Sequence, residues 1–202
     1  MSRDGSDQER PGINLLVGVC GAANAVNVVP YLLALRELPA ARVYVVATAA
    51  AVRLVPAETL GLYSDAVFSD ASEAHHFEPG HVGLATWADH VVVLPATAHM
   101  LGRAAHGLGG GLLDGVVLAH EKPVTFFPSM NVAMWRKPAV QRNVARLLAD
   151  GHAVVDPLMS RGFEVATKEF GDHPSLYPPS RTVTIMRHLL WGADFEEAGE
   201  GG

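Results

Sequence analysis

The sequence predicts an α/β protein, a Rossmann-like three-layer fold around a mostly parallel sheet. Three observations predict it. Apolar runs of strand length, rich in β-branched residues, recur at residues 13–19, 41–47, 90–94 and 124–127. Each run ends in a turn of small residues, Thr or Pro, and helical spacing follows, the strand–turn–helix unit of parallel sheets. No internal repeat and no linker divides the chain, and 202 residues suffice for one domain with a full core. Residues 12–192 therefore read as one domain. Residues 1–11 (polar and acidic) and 193–202 (rich in Gly and Glu) read as disordered tails.

Composition excludes several classes of function. Net charge is −6 and the Lys and Arg residues are scattered, so no basic stripe offers itself to nucleic acid. No apolar run is long enough to span a membrane, and the N-terminus has no apolar stretch of the kind signal peptides carry. The single cysteine, Cys20, leaves no intramolecular disulfide and fits a reducing cytoplasm. His75 and His76 are adjacent and so point different ways; with no His-Glu-x-x-His and no Cys/His cluster, no metal is expected.

Taken in order, residues 13–19 form the first buried strand. Cys20 to Asn24 make a small-residue turn, and residues 26–38 have helical spacing. Such a turn lets backbone approach a phosphate at the helix N-terminus, although the Gly-x-Gly-x-x-Gly of dinucleotide folds is absent. Cys20 itself reads as small buried filler. Residues 41–47 are the second strand; Thr48 after it reads as a helix N-cap whose hydroxyl can also reach a phosphate. Residues 65–68 suggest a short strand. His81 follows Gly80 and starts a helix-like run, where a solvent-facing imidazole is the ordinary reading. Residues 90–94 are a central strand ending in Pro95-Ala96-Thr97-Ala98-His99-Met100, and a helix runs on through His106. Gly107 to Gly111 is a helix connector, since no Gly-Lys-Ser/Thr follows it, and residues 112–119 are helical.

The strand at 124–127 leads into Pro128-Ser129-Met130-Asn131-Val132-Ala133-Met134-Trp135 and then a helix over residues 138–149, which stops at Gly151. Pro128 has no N–H for the sheet ladder. Asn131 places an amide that both donates and accepts beside two large apolar side chains, Met134 and Trp135. Carboxyl ends of parallel strands are where ligands sit, yet the same residues also read as a capped helix start with a Met and a Trp in the core. Residues 153–155 read as the last strand and 156–179 as a long loop; Ser180 opens the final helix, over 183–190.

Pro-x-Met-Asn-x-x-Met-Trp, complete here, resembles the signature of the homo-oligomeric flavin-containing cysteine decarboxylases. Two further segments are similar to that family: His81-x5-Trp87-Ala88-Asp89 before a strand, and Pro95 to Met100, where the family has Pro-Ala-Ser-Ala-Asn-Thr. Thr97 replaces Ser, and His99 and Met100 replace Asn and Thr. Ala22 stands where a Ser or Thr often flanks the family's glycine, with Asn24 as a substitute.

The resemblance implies flavin mononucleotide (FMN), held by Gly21, Ala22, Asn24, Thr48, Pro95, Ala96, Thr97, His99 and Met130. It implies His81 as catalytic base, Asn131 as the group that orients the substrate carboxylate, and Met134 and Trp135 as pocket walls. Imidazoles titrate near neutrality, which suits proton transfer. It also implies homotrimers, often assembled as dodecamers, with flavin at the subunit interfaces and a substrate clamp after residue 156; Phe163, Lys168 and Tyr177 are candidate clamp residues, though exposed loop filler is the simpler reading of them.

The chemistry implied is oxidative. A cysteine at a peptide C-terminus loses carbon dioxide poorly because no group accepts the electrons; oxidation to a thioaldehyde first supplies one. Phosphopantothenoylcysteine decarboxylases then reduce the enethiol to a saturated thiol with a clamp cysteine as the proton donor, but this chain has no Cys after Cys20. The expected activity is therefore FMN-dependent oxidative decarboxylation of a precursor peptide ending in Cys, giving an aminoenethiol of the lanthipeptide type. The coenzyme A pathway enzyme is the alternative, followed by a flavin prenyltransferase and by a non-catalytic, flavin-binding regulatory subunit.

Overall fold

The computed structural model describes residues 12–39, 41–70, 79–164 and 168–192. Six strands form one parallel sheet: β1 Asn14–Val19, β2 Arg42–Ala47, β3 Ala66–Ser69, β4 His90–Ala96, β5 Val124–Pro128 and β6 Ala153–Val154. Their order is β3-β2-β1-β4-β5-β6. The chain thus winds outward from β1 to β3, returns to place β4 on the other side of β1, and winds outward again. β1 and β4 diverge into opposite crossovers at their carboxyl ends, and that crevice is the ligand position of open α/β sheets.

Between the strands run α1 Val28–Leu35 (after a 3₁₀ turn at Ala23–Asn27), α2 Ala49–Val52, α3 Ala57–Gly61, α4 His81–Trp87, α5 Ala98–Ala105 and α6 Leu112–Ala119. After β5 come α7 Val132–Trp135 and α8 Pro138–Ala149, and α9 Pro179–Trp191 is the last described helix. The sheet is apolar on both faces because helices cover both. Leu15, Val17 and Val19 of β1 pack with Leu32 of α1, Leu60 of α3 and Met186 of α9. Leu16, one residue out of phase, packs on the opposite side with Leu84 of α4, Leu101 of α5 and Leu113 of α6. Gly18 shares that side, and a β-carbon there would stand 2.6 Å from Leu113 Cδ1, so α6 lies close only because β1 carries a glycine. Phe126 and Phe127, nearly 0% exposed, point to the two layers in turn; each contributes roughly 2–3 kcal/mol by burial.

The structure corrects the sequence expectations in two places. The helix expected at 26–38 begins as the 3₁₀ turn and is α-helical only over Val28–Leu35. The stretch expected as a long loop after the last strand is an antiparallel hairpin, β7 Leu158–Glu164 and β8 Glu169–Ser175, outside the main sheet. Its strands mix Gly, Pro and charged residues, so no apolar run marks them. What holds them is cross-strand pairing, with Phe163 opposite Phe170 at 5.5 Å between ring centroids. His75, His76 and both tails lie outside the described residues.

At the amino ends of β4 and β5, three imidazoles are tied to the frame. His90 Nε2 is 2.9 Å from Thr125 Oγ1, and His120 Nδ1 is 3.0 Å from the Ala85 carbonyl. His152 Nδ1 accepts the Val124 N–H at 3.1 Å, so it must be unprotonated there. Burial pushes His90 from its ordinary 6.5 down to about 4, with His120 and Lys122 adding repulsion. Burial also lowers His152, against the opposing charge of Asp150. Because these groups are depressed in the fold, the unfolded chain binds more protons between about pH 6.5 and 4; stability is full above that window and lost as pH falls through it. For His90 the full loss is on the order of 3 kcal/mol. We expect the urea midpoint to drop between pH 7 and pH 4.5, and to drop less in His90→Gln, whose amide can still bond Thr125 but does not titrate. Equal pH slopes in the two proteins would remove His90 from this account.

Candidate active site

Two adjoining cavities open at the carboxyl ends of β1, β4 and β5, and Gly21 and Thr97 line both. The first, about 260 Å³, is walled by the loop after β1 (Gly21 to Asn24), by Thr97 and Ala98, by Ser129 to Asn131 with Met134, and by Phe163, His173 and Pro174 of the hairpin. The second, about 460 Å³, runs from Thr48 past His99 and Met100 to Arg103, Gly110, Gly111 and Asp114.

Main-chain bonds stitch the loops together. Cys20 N–H donates to the Pro95 carbonyl at 3.2 Å, and Ser129 N–H donates to the Ala96 carbonyl at 2.9 Å. Asn24 Nδ2 donates to Ser129 Oγ at 3.0 Å, so the β1 loop is tied to the β5 loop across the first cavity. Gly21 has no room for a side chain: a β-carbon there would stand 2.4 Å from that of Ala50. Thr48 caps α2 by accepting the Ala51 N–H, and Thr97 caps α5 by accepting the Met100 N–H. Asn131 caps α7 in the same way, its Oδ1 taking the Ala133 N–H at 2.7 Å. That bond fixes the amide's orientation and leaves its NH₂ donors without a partner among the described residues.

Charge is concentrated in the second cavity. Buried Asp114 pairs with Arg103 at 3.0 Å; burial raises its carboxyl and Arg103 opposes the rise. Asp70 receives the Leu112 N–H at 2.7 Å. Burial pushes the Cys20 thiol up to about 12, with hydrogen bonds from Thr97 opposing, so this sulfur stays a thiol against the loop.

The expected site residues therefore separate. Gly21, Ala22, Asn24, Thr97, Met130, Asn131 and Met134 meet around the first cavity. Thr48 and His99 line the second. Pro95 and Ala96 line neither; they are buried strand residues whose carbonyls hold the neighbouring loops. Trp135 packs against the core beneath α8, and its carbonyl accepts from Gln141. His81 lines neither cavity: it is exposed at the start of α4, with its ring against Gly115 of α6. Of the clamp candidates, Phe163 lines the first cavity, Lys168 sits at the hairpin turn with φ 58°, and the Tyr177 carbonyl receives the Tyr31 hydroxyl. Sequence reasoning missed Ser129, at an unspecified position inside the motif, and His173 and Pro174, in a segment with no readable strand pattern.

A family model described as Flavoprotein matches residues 4–172. Mersacidin decarboxylase of Bacillus sp. (strain HIL-Y85/54728) is 37% identical over 172 residues, which is 85% of this chain and 88% of that protein. The coenzyme A biosynthesis bifunctional protein CoaBC of Vibrio vulnificus (strain YJ016) is 36% identical over 152 residues, 74% of this chain but only 38% of that protein. The solved structure of the FMN-dependent cysteine decarboxylase SpaF superposes with a TM-score of 0.67 at 39% identity, covering 79% of this chain and 90% of that one.

The Asn24–Ser129 bond is the element of this site that can be tested without any ligand. Ser129→Ala should cost about 1 kcal/mol in urea unfolding, the usual net worth of such a bond. Adding Asn24→Ala should then cost much less than it does alone. Strictly additive losses would mean that the two loops are not coupled through this pair.

Proposed function

The chain belongs to the flavoprotein family, and from that premise we propose that it is an FMN-dependent decarboxylase that converts the C-terminal cysteine of a peptide to an aminoenethiol, in the biosynthesis of lanthipeptide-like natural products. The observation that carries this reading is the first cavity, where the capped amide of Asn131 faces the loops after β1 and β4. The residues present fit the cofactor. Gly21 brings backbone close, the Thr48 hydroxyl keeps a proton to donate while its oxygen caps α2, and Ala22 and Met130 offer apolar surface for a planar ring. FMN, when bound, supplies the two-electron acceptor that makes the cysteine a thioaldehyde, so that carbon dioxide can then leave.

The chain's own residues do the rest. Asn131 holds the carboxylate with neutral N–H donors. A cation there would stabilise the carboxylate's full charge and so oppose its loss as carbon dioxide; an amide orients it with less of that penalty. Met130 and Met134 keep water from the reacting carbon. His81 takes the thiol proton. Since it lines neither cavity of its own chain and lies exposed beside exposed Val82, it serves the cavity of a neighbouring copy, and the working particle is a homotrimer or a dodecamer of four trimers. The substrate is a precursor peptide ending in Cys.

The coenzyme A pathway reading is weaker because the chain's one cysteine is buried in the β1 loop, far in sequence from the hairpin where a proton-donating thiol would be needed. Among the described residues no helix is long and apolar enough to cross a membrane. A free thiol substrate fits a reducing compartment, and the cytoplasm is the proposed location.

The test is an aerobic incubation of the yellow protein with synthetic peptides ending in Cys, read by product mass. Loss of carbon dioxide plus two hydrogens is expected, and His81→Asn and Asn131→Asp should each reduce turnover at least a hundredfold while flavin absorbance persists. Loss of carbon dioxide alone, from phosphopantothenoylcysteine but from no peptide, would transfer the protein to the coenzyme A pathway.

A further inference from the structure

The cations of this acidic chain are scattered along most of its length but gather beside the first cavity. Four of the 15 Lys and Arg residues fall within residues 136–146, and no Asp or Glu occurs from residue 122 to residue 149. Arg146 is engaged with Asp150, at 3.9 Å. Arg136, Lys137 and Arg142 are exposed, and their side chains make no ion pair or hydrogen bond among the described residues. The fold has no use for two of these charges. Arg136 and Lys137 precede α8, at the end where a helix dipole favours carboxylates, and the first turn of α8 carries no acid. They are nonetheless held firmly. The Arg136 N–H donates to the Val132 carbonyl and the Lys137 N–H to the Met134 carbonyl, each at 3.0 Å. Gln141 Nε2 clamps the same corner by donating to the Trp135 carbonyl at 2.6 Å.

This corner is the outer end of the cavity wall. Asn131 caps α7 and lines the first cavity with Met134, and Met134 is 46% exposed, so α7 leads from the cavity to the surface. At a rise of about 1.5 Å per residue, Arg136 stands roughly 8 Å along α7 from Asn131. Arg142 follows in the second turn of α8. An extended peptide advances about 3.3 Å per residue, so one whose terminal carboxylate is at Asn131 and which leaves alongside α7 reaches these cations about two to four residues before its end. We propose that Arg136, Lys137 and Arg142 form a docking rim for an acidic segment of the substrate peptide, placed two to four residues before the terminal cysteine. The net charge of −6 gives the rim a second effect: an acidic segment is repelled by the surface at large and drawn here, which turns the cysteine end toward the cavity. The inference rests on the decarboxylase reading above.

The experiment uses the flavin-loaded protein and two N-acetylated hexapeptides, Ala-Glu-Glu-Glu-Ala-Cys and Ala-Gln-Gln-Gln-Ala-Cys. At about 20 mM salt, KM for the Glu peptide should lie about three- to tenfold below that for the Gln peptide, with kcat within about twofold, because exposed charge contacts add binding that is equal in ground and transition states. The gap should close at about 0.5 M salt, where screening acts within about 5 Å. The triple variant Arg136→Gln, Lys137→Gln, Arg142→Gln should lose the preference while turning over the Gln peptide as wild type does. Arg136→Glu with Lys137→Glu should reverse it in favour of the matching Lys peptide, which a merely structural role would not do. The same comparisons are then made by the dissociation constants of serine analogues carrying a neutral coumarin, which have no thiol to oxidise. Charge-dependent binding of the serine peptides without turnover of any cysteine peptide overturns the decarboxylase reading and keeps the rim. Equal KM and dissociation constants for Glu and Gln peptides at low salt overturn the inference, as does a preference that survives the triple substitution, or a wild-type protein that binds neither peptide.

Discussion

The site depends on how three loops that leave the sheet at β1, β4 and β5 are held at a fixed spacing. No side chain of a strand does this. The carbonyls of Pro95 and Ala96, at the end of the central strand β4, receive N–H groups from the loops on either side, Cys20 on one and Ser129 on the other. β4 thus acts as a rail, and the cavity is the gap the rail enforces. Parallel sheets leave such ends free because each strand's carboxyl end opens into a crossover rather than a tight turn. Where neighbouring crossovers go opposite ways, as at β1 and β4, nothing of the fold fills the space between them.

This explains which residues were legible. The four long strands announced themselves as apolar runs because the sheet is covered on both faces, and the Pro128 to Trp135 motif announced the site because its spacing is fixed by a strand end, an N-cap and a short helix. What sequence cannot distinguish is a residue that lines a cavity from one that holds the liner. Pro95 and Ala96 belong to the second kind, and so does Trp135, whose ring serves the core under α8. The hairpin was illegible for a different reason. Its stability comes from pairs across strands, such as Phe163 with Phe170 and Gly162 with Gly171, and a pair has no signature along either strand alone.

His81 marks the limit of reasoning within one chain. The helix start it was expected to occupy is real, as Gly80 caps α4, yet its ring rests on Gly115 and faces outward. A residue exposed on its own chain cannot be given a role by periodicity or packing, because both describe one chain's own core. The apolar side chains Val82 and Leu118, on the neighbouring helices α4 and α6, are likewise exposed.

The distribution of charge completes the logic. The second cavity, on the side of Thr48, holds the ionic groups Asp70, Arg103 and Asp114, whereas the first is walled by neutral donors and apolar surface. Losing carbon dioxide disperses negative charge from a compact carboxylate into a larger, softer anion. An environment of fixed cations would favour the starting state, and one of neutral amides and methionines favours the product side of the step. In the proposed reaction Asn131 meets that requirement because its oxygen is committed to capping α7, which leaves the N–H groups of its amide to face a substrate. The small helix after the motif, four residues long, therefore acts chiefly to hold one side chain in one orientation.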